Sequence, residues 1–453
     1  MSIAMTGCQG AAGLPAGPRL SAAETTFAWL ARPYAFLDEC ASAYGDTFTL
    51  RFTRAGTHVI VSHPDDVRDV LTADRDVLRA GGGNALLEPV LGKHSLLLVD
   101  GDRHLAGRAL LQPAFRTDRL QGYARVMAEA TRRWTATWHG GATVNTQEAA
   151  LEISKEVILR AVFGVADAEL QHFSRLIHEL MLLVGTNGTF DDGAPETRLL
   201  ARFRAARRAL HDALDAHIAR RRRDGGSTGD VLSLLLAART ESGDGLPEEE
   251  IRDQLMTMIL AGHETTASSL TWGLSSLQAA PGALRTLLRE LHEAGDDLPD
   301  ERLGELPYLQ AVALETLRLH PVIPVVCREV RRPFRLRDRV LPPGVFVTPC
   351  VYLAHRRADA FPEPDAFRPE RFLEGRFSPY VYFPFGGGIR RCIGMSFALL
   401  EMEIVLGVLL RSFTFAPVDA GPVRPVRRGV TIVASGGGAM HVAERRAANG
   451  VRR

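Results

Sequence analysis

The stretch FPFGGGIRRCIG, Phe383 to Gly394, decides how this chain reads. Three consecutive glycines allow positive φ and close approach of backbone to a flat ligand, and Cys392 follows Gly388 by four residues with Gly394 behind it. Arg390 and Arg391 bring positive charge to the sulfur, and a helical pattern opens at about Ile393 and runs to Leu410. Both the charges and the helix N-terminus favour thiolate over thiol, and thiolate is the form that binds a metal. Two plainer readings compete: a glycine-rich turn before a helix also cradles phosphate, and a lone cysteine is commonly a small buried hydrophobe. The phosphate reading lacks the Lys-Ser/Thr pair of a P-loop and a clear preceding strand.

The rest of the composition narrows the class. Apolar residues make up 46% and charged residues 24% of 453 positions, the balance of a folded globular chain with a large core. Lys+Arg total 54 against 53 Asp+Glu, so no global field favours nucleic acid or an anionic membrane. Five scattered cysteines give neither a disulfide framework nor a zinc spacing, which fits a reducing cytoplasm. No N-terminal signal pattern is present and no segment holds the roughly 20 apolar residues that span a bilayer, so a protein without a membrane anchor is expected.

Helical periodicity dominates, as at Leu120–Trp138, Ile153–Phe163 and Glu196–Arg223, with Arg220–Arg223 read as a solvated helix end. Short strand patterns stand at Thr47–Phe52, His58–Ser62, Val345–Pro349 and Thr431–Ala434. Loops are expected at 224–229 and 241–247. With no repeat and no change of composition, the reading is a flexible tail over residues 1–20, one domain over 21–445 and a second tail over 446–453. The clearest helix spans about Glu248 to Gln278, opened by Pro247 and three glutamates and closed before Pro281. It is apolar around much of its circumference yet carries Gly262, His263, Glu264, Thr265 and Thr266 midway, a polar island whose burial would cost several kcal/mol if unsatisfied.

FGGGIRRCIG fits the FxxGxRxCxG signature of a haem-ligating cysteine, and with it the chain resembles the cytochrome P-450 superfamily. Three further motifs follow the family's order: AGHETT at Ala261–Thr266, ETLR at Glu315–Arg318 and PERF at Pro369–Phe372. Family-like spacing extends the resemblance over about residues 25–445. It implies a mainly α fold with a small β lobe, a triangular helical prism enclosing haem b, with Cys392 on the iron. Phe385, Gly388 and Gly394 would shape the cofactor loop, and His104, Arg108, Arg328 and Arg390 would bind the propionates, a task suited to guanidinium forks. Glu315, Arg318 and Arg371 would form a buried structural network.

The same resemblance implies a bacterial-type monooxygenase in which Glu264 and Thr265 deliver protons and small Ala261 and Gly262 leave room for O2. Thr265 is expected either to bond back to the carbonyl of Ala261 or to distort the helix locally. Pocket walls would come from the 81–98 loop and from Met258, Ala261, Gly262, Val322, Ile323, Val325, Val326 and Val430. Their apolar character favours a fatty acyl, terpenoid, steroid or macrolide-like substrate, hydroxylated or epoxidised. Too little chain follows the cysteine helix for a reductase module, so NAD(P)H electrons would arrive through a ferredoxin and its reductase, docking on Arg390, Arg391, Arg116 and Arg119 of a monomer. The rivals are a peroxide-using or rearranging haem-thiolate enzyme and, from another class, a haem sensor or electron carrier, neither of which needs the Glu264–Thr265 pair.

Overall fold

The computed structural model describes residues 7–8, 13–187, 197–225, 229–239, 243–418 and 421–446. Parts of both expected tails, parts of the two expected loops and Glu196 lie outside them. Eight helices position the site: α1 (Gly101–Leu111), α2 (Thr117–Trp134), α3 (Thr146–Ala161), α4 (Asp167–Asn187), α5 (Arg198–Asp224), α6 (Glu248–Ala279), α7 (Pro307–Leu319) and α8 (Met395–Ser412). Seven strands matter beside them: β1 (Thr47–Phe52), β2 (Gly56–Val61), β3 (Leu78–Arg79), β4 (Arg328–Val330), β5 (Phe346–Pro349), β6 (Pro425–Arg428) and β7 (Thr431–Ala434).

Local chemistry sets these boundaries. The Asn145 side chain accepts from the Glu148 N–H and starts α3 seven residues before the expected Ile153, while Gly164, at φ 64°, turns the chain just beyond its end. α2 stops at Trp134, short of Trp138, because Trp138 turns away to pack on Phe413 and Phe415. Pro247 and Pro281 bound α6, whose 32 residues span about 48 Å.

α6 is the axis of the molecule. One half packs with α2, α3, α7 and α8 in an apolar core that includes Leu270, Leu274 and Leu406, and the other with α4 and α5 in a core that includes Leu255, Phe203 and Phe173. The sheet runs β1-β2-β5-β4-β3, with β5 parallel to β2 (Phe346 opposite His58) and antiparallel to β4 (Val347 opposite Arg328). β6 and β7 form a hairpin against α6, where the Trp272 indole donates to the Ile432 carbonyl at 3.1 Å.

Two expectations change. Residues 15–18, assigned to the N-terminal tail, lie against β1: the Thr49 hydroxyl donates to the Pro15 carbonyl at 2.7 Å and its N–H to that of Ala16 at 3.0 Å. The arginine run closing α5 is not simply solvated. Arg221 is 90% covered and pairs with Asp230 at 3.0 Å, while Arg220 reaches Glu169 and Arg222 reaches Glu248. Among the described residues, no helix is long and apolar enough to cross a membrane.

Candidate functional site

The cysteine loop is built by backbone bonds and close packing. The Cys392 N–H donates to the Phe385 carbonyl at 2.9 Å, and Gly386 and Gly388 take φ of 66° and 64°. A Cβ on Gly388 would stand 2.1 Å from the Leu71 carbonyl oxygen, so this position needs glycine for space as well as conformation. Gly394 is different: at φ −89° it caps α8, and a Cβ there would meet Phe115 at an ordinary 3.7 Å.

Cys392 is accessible from the space beside the loop, yet protein surrounds it closely enough for desolvation to raise its thiol pKa. The Gly394 N–H, Arg108 and Arg391 pull the other way without reversing the shift. The neighbouring charges therefore count for less than burial, and a strong Lewis acid bound to the sulfur would displace the thiol proton to solvent.

Four cationic or titratable groups converge near this loop from three elements. His104 and Arg108 come from α1, Arg328 from the start of β4 and Arg390 from the loop. Arg390 donates to the carbonyls of Leu96 (3.1 Å) and Val99 and pairs with Asp100; Arg328 donates to the Cys327 carbonyl at 2.9 Å; Arg108 donates to the Arg391 carbonyl at 2.6 Å. His104 is buried and its Nδ1 lacks a partner among the described residues. Burial and then the Arg390 charge lower Arg328 to about 10, and burial with Arg390 and Arg108 lowers His104 to about 4. Asp100 pairs with Arg390 and acts on Arg328, while Arg108, among the described residues, has only a carbonyl, so the cluster carries an excess of positive charge that fits a dianionic ligand beside a thiol.

The polar island of α6 divides into two directions. The Thr265 hydroxyl donates to the Ala261 carbonyl at 2.7 Å, and Ala261 is exposed on the same side. Glu264, one step and about 100° around the helix, instead approaches Arg428 of β6 at 3.4 Å. Burial raises the Glu264 pKa, and Arg428 and the Thr431 hydroxyl oppose the rise. Buried His263 bonds the Ile259 carbonyl at 2.9 Å, and burial lowers its pKa to about 4.

Several expected pocket residues are used otherwise. A Cβ on Gly262 would lie 2.7 Å from Ile158 Cδ1, so this glycine lets α3 pack against α6 instead of opening space. Val322 is buried with Trp272 and Ala434, and Met258 is 9% exposed within the α4–α6 core. Val326 approaches Gly386, Ile323 and Val325 are half-buried, and Val430 is exposed at the tip of the β6–β7 hairpin. Arg390, only 10% exposed, is committed to Asp100 and carbonyls and is withdrawn from any docking face; Arg391 is exposed.

The structural network is dense. Arg318 donates to both oxygens of Glu315, Arg371 Nε reaches Glu315 Oε1 at 3.1 Å, and Arg318 also binds the carbonyls of His355, Pro364 and Ala366. His355, which sequence reasoning passed over, extends this to the cysteine loop: its Nε2 accepts from the Phe383 N–H at 2.9 Å. A lone histidine in AHRRADAF carries no signal of that task.

The cytochrome P450 family model matches residues 16–437. The chain belongs to the cytochrome P450 family. It is 36% identical over 437 residues to cytochrome P450 135B1 of Mycobacterium tuberculosis, covering 95% of this chain and 91% of that one, and 34% identical over 450 residues to cytochrome P450 135A1, covering 97% of each. In fold, this P450 matches the retinoic acid-bound cyanobacterial CYP120A1 with a TM-score of 0.80 at 24% identity, over 89% of this chain and 93% of that one. It matches the cytochrome P450DA heme domain with the same TM-score and identity, over 91% and 93%. Family membership implies a haem cofactor, and the donor set around Cys392 suits its iron and paired carboxylates.

Proposed function

We propose that this P450 is a haem-thiolate monooxygenase that uses O2 to hydroxylate or epoxidise an apolar organic substrate. The observation that carries the reading is the pairing of an accessible Cys392 with the over-cationic cluster of Arg108, Arg328, Arg390 and His104. Cys392 would ligate the iron, and the cluster would take the propionates, with the His104 Nδ1 gaining a partner. Haem, when bound, supplies the oxygen-activating redox centre. The protein's own part is to hold the Thr265 hydroxyl and the Ala261 carbonyl on the open side of α6, where water can be ordered, and to keep a carboxyl, Glu264, one residue away as a proton source.

The apolar residues that stay accessible, Ala261, Ile323, Val325, Val326 and Val430, support a substrate of fatty acyl, terpenoid, steroid or macrolide type. Electrons would come from NAD(P)H through a ferredoxin and its reductase in the cytoplasm, with exposed Arg391 as the charge presented to an acidic partner. The test is a screen of such compounds for a shift of the haem Soret band, followed by product analysis with a ferredoxin pair and NADPH. Oxygenated product that requires O2 and NADPH supports the reading; conversion with peroxide and none with O2 and NADPH refutes it in favour of a peroxide-using enzyme.

A further inference from the structure

Glu264 and Thr265 are neighbours in sequence but turn to different partners in space. The Thr265 hydroxyl is committed to the Ala261 carbonyl at 2.7 Å, whereas the Glu264 carboxyl is turned to the β6–β7 hairpin. Arg428, the last residue of β6, brings Nε to 3.4 Å from Glu264 Oε1, and Thr431, the first residue of β7, places its hydroxyl beside the same carboxyl. The two hairpin residues are a register pair, tied by the Thr431 hydroxyl donating to the Arg428 carbonyl at 2.9 Å. Between them stand only Gly429, at φ 56°, and exposed Val430.

We infer that Arg428 is a positioning residue that holds Glu264 parked against the hairpin, away from the Thr265 side of α6, and that movement of the hairpin turn releases it. This rests on the reading of Glu264 as a proton source. The parked carboxylate is paired with a guanidinium; to serve as a donor it must leave Arg428, take a proton from water and pass that proton on. The contact is suited to opening. At 3.4 Å it is longer than the roughly 2.7–2.9 Å of a strong charge-assisted bond. Arg428 is also 32% exposed, so water can replace the carboxylate. The hairpin backbone is fixed at Ile432, directly after the buried Thr431, where Trp272 holds the Ile432 carbonyl and the Ile432 N–H meets the Val322 carbonyl, which leaves the tip at Gly429 and exposed Val430, next to Arg428, as its movable end. A ligand touching Val430 at that turn would act on Arg428 directly, coupling occupancy to proton supply.

The test uses the holoenzyme with Arg428→Leu, Arg428→Lys, Glu264→Gln and the Arg428→Leu/Glu264→Gln pair. The infrared difference between Glu264-containing and Glu264→Gln proteins isolates this one carboxyl. It should read as carboxylate at neutral pH in the wild type and in Arg428→Lys, and shift toward the protonated carbonyl band in Arg428→Leu, since burial then acts without the opposing cation. In turnover with a ferredoxin–reductase pair and lauric acid as probe, the solvent deuterium effect on oxygen consumption should change in Arg428→Leu, return in Arg428→Lys and be insensitive to Arg428 when Glu264 is replaced by Gln. An unchanged carboxyl band, or an equal effect of Arg428→Leu with and without Glu264, overturns the inference. Glu264→Gln alone leaving the deuterium effect untouched would instead refute the proton-source reading, while the infrared result still decides whether Arg428 holds the carboxyl.

Discussion

Arg318 embraces Glu315 with two parallel bonds, Nε to Oε2 at 2.7 Å and Nη2 to Oε1 at 2.9 Å, and solvent reaches neither side chain. The remaining Arg318 donors go to the His355, Pro364 and Ala366 carbonyls, and the His355 ring receives the Phe383 N–H at the start of the cysteine loop. The pair therefore fixes a segment from 355 to 383 whose other end leads to the sulfur. Breaking a buried pair strands a charge at a cost of about 3–5 kcal/mol, so Glu315→Gln or Arg318→Leu should abolish haem incorporation. The ratio of Soret to protein absorbance in purified protein measures this, and normal holoprotein yield from either variant would contradict the role given to the network.

His355 gives the pH dependence. Burial, then the Arg318 charge, lowers its pKa from 6.5 to about 3, so the folded protein keeps it neutral while the unfolded chain protonates near 6.5. Stability attributable to His355 is full above 6.5 and declines as pH falls from there toward 3. The limiting slope for one such group is about 1.4 kcal/mol per pH unit. His104, His263 and His320 share the direction. His355→Gln, which keeps an acceptor for Phe383, should flatten the dependence of the urea midpoint on pH in that window; an unchanged slope would mean that His355 is not neutral in the folded state.

The cation cluster separates holoprotein from apoprotein. Arg328 is disfavoured as a charge by burial and by Arg390, so Arg328→Met should leave the unfolding midpoint of the apoprotein unchanged or raised. The same variant should accelerate haem loss to an acceptor protein, severalfold or more, if Arg328 binds a propionate. Haem loss at the wild-type rate would remove Arg328 from the cofactor site.

Thr265→Ala removes a hydroxyl whose protein partner is the Ala261 carbonyl. Haem and substrate binding should persist, while NADPH oxidation continues with more peroxide and less product. Glu264→Gln should instead slow turnover, by no more than about 10²–10⁴-fold for a general acid. Wild-type coupling in Thr265→Ala would make that hydroxyl a local bend in α6 and nothing more.

What the sequence made legible follows from where the chemistry sits. The cysteine loop, the Glu315–Arg318 pair and the α6 island are each a few consecutive residues, and family membership follows from them. The strands β1, β2, β5 and β7 are likewise visible as short β-branched runs. Long-range partners are not. Arg428 meets Glu264, and His355 meets Phe383, only after the chain has folded back, and neither is marked by its local sequence. Gly262 is ambiguous in sequence because a missing side chain reads equally as room for a ligand or as a helix contact, and only the folded chain brings Ile158 against it. Arg390 misled only as a docking charge, because Asp100, which draws it inward, looks like an ordinary helix start.

The carbon monoxide difference spectrum of the reduced protein tests the central claim most directly, because its band position reports which protein group would ligate the iron. Cys392 is the free cysteine accessible at the site, whereas Cys40 and Cys350 are fully buried and burial raises their thiols to about 12. The red-shifted band of thiolate ligation should be present in the wild type and in Cys40→Ser, Cys327→Ser and Cys350→Ser, and absent from Cys392→His even where that variant retains haem. Persistence of the band in Cys392→His would contradict the account.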